Sequence, residues 1–171
     1  SIFTGISNQN LKYNIEDIQQ SLSMVDGDLI IKYFPTKSAS VNTISAHLSR
    51  MRTLGKQIDM VIVDYADLLK DVNNFTREVR HALGNIYEDL RGMAGELEVP
   101  VWTASQANRS ALEDDIIEAG KIAEAYSKIM ISDFVMSVSR KVEDKIANTD
   151  RVHIIKNRFG PDGMTFPSSI N

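Results

Sequence analysis

A chain of 171 residues, 43% of them hydrophobic and 25% charged, is long enough for one domain with its own core and excludes disordered, collagen-like and coiled-coil classes. No apolar run reaches the roughly 20 residues that cross a bilayer and no basic-then-apolar leader opens the chain, which points to a cytoplasmic protein without a membrane partner. The absence of Cys excludes thiol catalysis, disulfides and thiolate zinc sites, and a formal net charge of −4 argues against a wholly basic nucleic-acid binder.

Two hydrophobic periods alternate along the chain. Asn14 can cap a helix over residues 15–24, with Tyr13 as a staple before the cap. Leu29-Ile30-Ile31 reads as a short strand ending near Pro35. Ser40 caps a second helix, in which Ile44, Leu48 and Met51 recur at helical spacing and Gly55 supplies the stop. Met60-Val61-Ile62-Val63 has the pattern of a strand buried on both faces. Val79, Leu83, Ile86, Leu90, Met93 and Leu97 form one apolar stripe of a long helix over about residues 77–98.

Val99-Pro100-Val101-Trp102-Thr103-Ala104 follows as another buried strand, with Trp102 in the core. Residues 117–128 suit a helix, and Met130 and Met136 suit core filling. Phe134-Val135-Met136-Ser137-Val138 and Val152-His153-Ile154-Ile155 read as two more strands, with Asn148-Thr149-Asp150 as the turn between them. This alternation predicts an α/β fold, a mostly parallel sheet flanked by helices, filling one domain over residues 1–171.

In such folds ligands bind at the carboxyl ends of strands, so the residues that follow each strand matter most. Asp64 follows the first buried strand, where a carboxylate can hold Mg²⁺ through water beside nucleotide phosphates, or simply form a turn. Gln106 follows the next one. Its amide can sense a phosphate or place a water, though an ordinary polar loop has the same look. Lys156 and Arg158 follow the last strand two residues apart, on one side if the strand continues, and suit a triphosphate or a solvated basic hairpin.

A phosphate loop of the form G-x-x-x-x-G-K-[ST] is missing: Gly55-Lys56 runs into Gln57 and Gly120-Lys121 into Ile122. His47, His81 and His153 lack ligand-spaced partners, which argues against zinc or histidine catalysis. The acidic run Glu113-Asp114-Asp115 with Glu118 reads as a solvated helix start. Phe75, between Asn74 and the long helix, is a candidate for an exposed aromatic.

The order of these strand ends resembles the replicative hexameric helicases of the DnaB type. The run from Ile58 to Tyr65 is similar to their Walker B segment, an apolar strand ending in Asp-Tyr. The run from Glu98 to Arg109 resembles the third motif, a Val-Pro-Val strand leading to Ser-Gln and then Asn-Arg. Ile154-Ile155-Lys156-Asn157-Arg158-Phe159-Gly160-Pro161 resembles the fourth, which carries a Lys-x-Arg pair. Within the family the likeness is greatest to the bacteriophage T4 type, through Phe34-Pro35-Thr36, Val101-Trp102-Thr103-Ala104 and Phe159-Gly160.

The resemblance implies a RecA-like ATPase core that binds ATP and Mg²⁺ and works as a homo-oligomeric ring, normally a hexamer, on single-stranded DNA. Asp64 would organise Mg²⁺ and Gln106 would sense the γ-phosphate. Lys156 and Arg158 would reach into the neighbouring subunit's ATP site. DNA contact would fall on Asn74, Arg77, Arg109 and Glu124, and a primase and a helicase loader are conceivable partners.

The family's Walker A loop and catalytic Glu belong to two preceding βα units, so the chain reads as the C-terminal part of such a core, inactive alone and prone to self-association. Asn157 stands where bacterial members have Gln, and Ala123 and Tyr126 replace their Arg and Gly. A RecA-type recombinase or repair ATPase, or a non-catalytic module on the same scaffold, are the competing readings.

Overall fold

The computed structural model describes residues 27–72, 79–106 and 126–169, with Glu16, Gln20 and Met24 singly. Two compact units divide the chain: Ser1–Tyr33 with Asn171, and Phe34–Ile170. In the first, Glu16 and Gln20 are helical, while Leu29, Ile30 and Ile31 are exposed and form no strand. An apolar triplet makes a strand only where a partner edge takes its N–H and C=O groups, so the strand expected there is absent.

The second unit opens with α1, Val41–Thr53. Ser40 caps it as the sequence indicates: the Thr43 amide donates to Ser40 Oγ at 3.3 Å, and the Ser40 amide donates back to Thr43 Oγ1 at 3.3 Å. At the other end Gly55 takes a left-handed φ of 79°. Its N–H donates to the Arg52 carbonyl at 2.9 Å, and that of Lys56 to Met51 at 3.0 Å. That paired closure needs a residue without a Cβ penalty, which is why the helix stops at this glycine.

β1 (Val61–Val63) and β2 (Val101–Thr103) pair in parallel, Ile62 opposite Trp102. The long helix α2, Val79–Leu97, connects them. Its stripe of Ile86, Leu90, Met93 and Leu97 is buried as its period predicts, against Val61 and Val63 and against Val41 and Ile44 of α1. Ile86, 2% exposed, is the most enclosed large side chain.

The parallel pair is covered on one face, not two. Ile62 is 70% exposed between buried Val61 and Val63, and Met60, Trp102, Met130 and Met136 are exposed rather than in the core. The apolar run of β1 therefore marks the strand correctly but not its two-sided burial.

After α3 (Tyr126–Ile131), the described end of the helix expected over residues 117–128, come three antiparallel strands in the order β3-β4-β5. They are Phe134–Ser139, Thr149–Asn157 and Thr165–Ser169. The α/β class holds, with parallel pairing confined to β1 and β2. Where a turn was expected between β3 and β4 there is a short helix, α4 (Val142–Ala147), closed by Asn148 at φ 52°. Asp144 accepts from the Lys141 amide at 2.7 Å and from Arg151 at 2.9 and 2.7 Å, which fixes this helix to β4. No described helix is long and apolar enough to cross a membrane.

Candidate functional site

The carboxyl ends of β1 and β2 lie side by side, and Thr103 ties them together. Its hydroxyl donates to the Val63 carbonyl at 2.8 Å and accepts from the Ala66 amide at 2.9 Å. β1 thus delivers Asp64 and Tyr65, then a 3-10 turn over Ala66–Leu68, and β2 delivers Ser105 and Gln106. Asp64 is exposed. The amide of Gln106 donates to the Tyr65 hydroxyl at 3.1 Å, so two of the residues singled out from the sequence meet at one edge of the fold.

No group of three or more His, Asp or Glu side chains among the described residues could cage a metal. A single exposed carboxylate fits Mg²⁺ all the same, because that ion keeps most of its waters and takes its remaining ligands from phosphates.

Beneath this edge lies a polar cluster that sequence reading passed over. Lys128 of α3 is 4% exposed, and its ammonium donates to both oxygens of Asp67 at 2.9 Å and to Ser105 Oγ at 2.9 Å. The Ser105 hydroxyl donates to Asp67 Oδ2 at 3.2 Å, and the Tyr87 hydroxyl to Asp67 Oδ1 at 3.1 Å. Every N–H of the ammonium and both carboxylate oxygens are satisfied, as burial demands. The ammonium also sits 5.3 Å from the centre of the Tyr87 ring.

Burial, and then the Asp67 charge, push the Tyr87 phenol far above its ordinary value, so it stays a donor. Lys37 reaches the same turn, donating to the carbonyls of Asp67 at 2.8 Å and Leu69 at 2.9 Å. The sequence cue for this cluster is Lys128 itself, which precedes the apolar run Ile129-Met130-Ile131 and needs a partner if that run is buried.

Lys156 and Arg158 meet a different part of the unit, around the end of α3. Lys156 donates to the carbonyls of Ile129 at 2.8 Å and Met130 at 3.0 Å, the negative end of that helix. Arg158 pairs with Asp133 at 2.5 Å, and Arg91 pairs with the same oxygen at 3.0 Å. Arg91 also donates to the Ile131 carbonyl. The two cations therefore share a side, as their spacing indicates, and their hydrogen bonds do not go to Asp64 or Gln106.

Asn157 shapes the turn that follows, accepting from the Phe159 amide at 3.2 Å and donating to the Pro161 carbonyl at 3.2 Å. A Cβ on Gly160 would come within 2.8 Å of its amide nitrogen. Asn74, Phe75, Arg77, Arg109 and Glu124 lie outside the described residues.

The fold has close counterparts. A solved DnaB-like replicative helicase, described with its interactions with primase, superposes with a TM-score of 0.74 at 21% identity, over 99% of this chain and 41% of that one. A solved ATPase domain superposes with a TM-score of 0.73 at 25% identity, over 95% of this chain and 61% of that one. A DnaB-like replicative helicase of Enterobacteria phage T4 is 28% identical over 137 residues, 78% of this chain. The chain spans only 29% of the length of that phage relative. The family model for the DnaB-like helicase C terminal domain matches residues 3–166, and the chain belongs to that family.

Proposed function

We propose that this chain supplies the Mg²⁺-organising, sensing and trans-acting residues of an ATP-driven helicase that moves along single-stranded DNA as a homo-oligomeric ring, normally a hexamer. The observation that carries this reading is the meeting of Asp64, Tyr65 and Gln106 at the carboxyl ends of the parallel pair, with Gln106 bonded to Tyr65 at 3.1 Å. An exposed carboxylate beside a bonded amide suits a site that holds a hydrated cation and answers to a phosphate. Asp64 holds Mg²⁺ through water. The ion, when bound, neutralises charge on the phosphates. Gln106 can exchange its Tyr65 bond for a phosphate oxygen and so register whether that oxygen is there.

Lys156 and Arg158 belong to the other side of the unit, which favours a role toward a neighbouring subunit. A cation that arrives only when the neighbour is docked makes hydrolysis depend on ring geometry. Lys156 positions the strand end through the α3 carbonyls, and Arg158 stands exposed at the turn. Because the 171 residues contain no phosphate loop, they do not cradle the triphosphate by themselves. DNA contact falls to Asn74, Arg77, Arg109 and Glu124, and primase and a loader are further partners of the same ring. Work on free DNA places the protein in the cytoplasm.

The test uses the gene product in which this segment is joined to a phosphate loop. Arg158→Ala should lower hydrolysis by about a thousandfold or more while nucleotide affinity stays near that of the parent. Loss of binding and hydrolysis together would rule out the trans role. Strong hydrolysis by the isolated 171 residues would overturn the need for a phosphate loop supplied from elsewhere. Unwinding without strand exchange separates this reading from a recombinase.

A further inference from the structure

Lys128 and Asp67 form the most enclosed ion pair among the described residues, with side-chain exposures of 5% and 20%. Such a pair is a weak source of stability, because desolvation offsets most of the attraction and a well-packed apolar pair serves as well. Its position suggests another role. The Lys128 ammonium spends its three donors on Asp67 and Ser105. Ser105 directly precedes Gln106, and Asp67 lies two residues after Tyr65, the hydroxyl that Gln106 holds. Gln106 is thus flanked by the same clasp on both strands.

The clasp also closes a chain segment. Residues 107–125 join Gln106 to α3, and the side chains on either side of them, Ser105 and Lys128, meet at 2.9 Å. Beyond Lys128, α3 ends on the carbonyls that Lys156 holds. A displacement at either end of residues 107–125 reaches Gln106 and α3 through this one junction.

We propose that Lys128 is a positioning residue: its clasp on Asp67 and Ser105 conveys the occupancy of residues 107–125 by single-stranded DNA to Gln106. This rests on the helicase reading above and adds to it the element that links DNA to the phosphate sensor. The buried Lys128–Asp67–Ser105 junction carries it, since a junction with only a structural task does not need to be ionic.

The test compares Lys128→Met with a Lys128→Met, Asp67→Asn double variant in the phosphate-loop-bearing protein. The readouts are the ratio of hydrolysis with and without an oligo(dT) strand, oligo(dT) affinity by fluorescence anisotropy, and thermal stability. The single variant leaves a buried carboxylate without its cation and should lose stability, and the double variant should regain it. In both, the stimulation ratio should fall by about tenfold while oligo(dT) affinity stays close to that of the parent.

Recovery of the ratio together with stability in the double variant would reduce the clasp to a folding role and overturn the proposal. So would an unchanged ratio in the single variant. A parent protein without any DNA stimulation overturns the helicase reading itself and the clasp with it. Stimulation of the parent that survives in both variants overturns the clasp alone.

Discussion

Arg158 is tied twice to Asp133: its guanidinium lies 2.5 Å from Oδ1, and its backbone N–H donates to the Asp133 carbonyl at 2.9 Å. The side chain is thereby aimed before any neighbour arrives. Arg91, 3.0 Å from the same oxygen, keeps Asp133 paired when Arg158 swings away. Parking and release of the cation therefore leave no bare carboxylate behind.

Asp133→Asn should accordingly cost little stability, about 0.2–1 kcal/mol, because the Arg158–Asp133 pair is exposed to solvent. Hydrolysis by the phosphate-loop-bearing protein should drop with nucleotide binding retained, since Arg158 loses its aim. Melting curves and steady-state ATPase rates measure the two effects separately. A variant that hydrolyses at the parent rate removes Asp133 from the positioning of Arg158.

Thr103→Val keeps the shape of the side chain and removes one hydroxyl that serves both strand ends. The Val63 carbonyl loses its donor and the Ala66 amide, in a fully buried residue, loses its acceptor. The loss should be about 2 kcal/mol, read as a lower urea midpoint at unchanged slope, and Thr103→Ser should restore most of it. Equal stability of the Val and Ser variants would show that water replaces the bridge.

Tyr87 gives a pH signature. Its phenol is raised in the folded state from the ordinary 10.0 by burial and then by Asp67. A raised value means that the folded chain holds this proton more tightly than the unfolded one. The stability it contributes is complete below pH 10 or so and declines as pH climbs from there toward the folded value. Absorbance of tyrosinate on alkaline titration should show one of the five tyrosines resisting ionisation until unfolding, a late step that Tyr87→Phe abolishes. An unchanged titration curve in that variant would place the late phenol elsewhere.

Ile86→Ala should destabilise by about 2–5 kcal/mol, because the residue is 2% exposed at the centre of the α2 stripe and its loss leaves a cavity. Ile62→Ala, the same chemical change at an exposed position, should cost far less. Chemical denaturation of the pair reads the contrast, and similar losses would mean that Ile62 is covered in solution.

Local signals in the sequence were reliable where the physics is local. The Ser40 cap, the Gly55 stop and the period of Ile86, Leu90, Met93 and Leu97 each depend on a few neighbouring residues, and each is found. Asp64 and Gln106 were also legible, because strand ends carry function in this class of fold. Lys128 and Asp67 are 61 residues apart, and nothing local announces that they meet.

The failures share one cause. Leu29-Ile30-Ile31, Ile62 and Trp102 were assigned burial from composition, but burial depends on what else packs there. The helix at Val142–Ala147 was missed because six residues carry too little periodicity to register.

The open face of the parallel pair has a practical result. With Ile62 and Trp102 facing water, sulfate and phosphate salts, which strengthen apolar association, should precipitate the chain at modest concentration. Urea well below the unfolding midpoint should disperse it while its helices persist. The first difficulty in handling this protein is therefore set by wetting, and the choice of buffer salt matters before any question about catalysis can be asked.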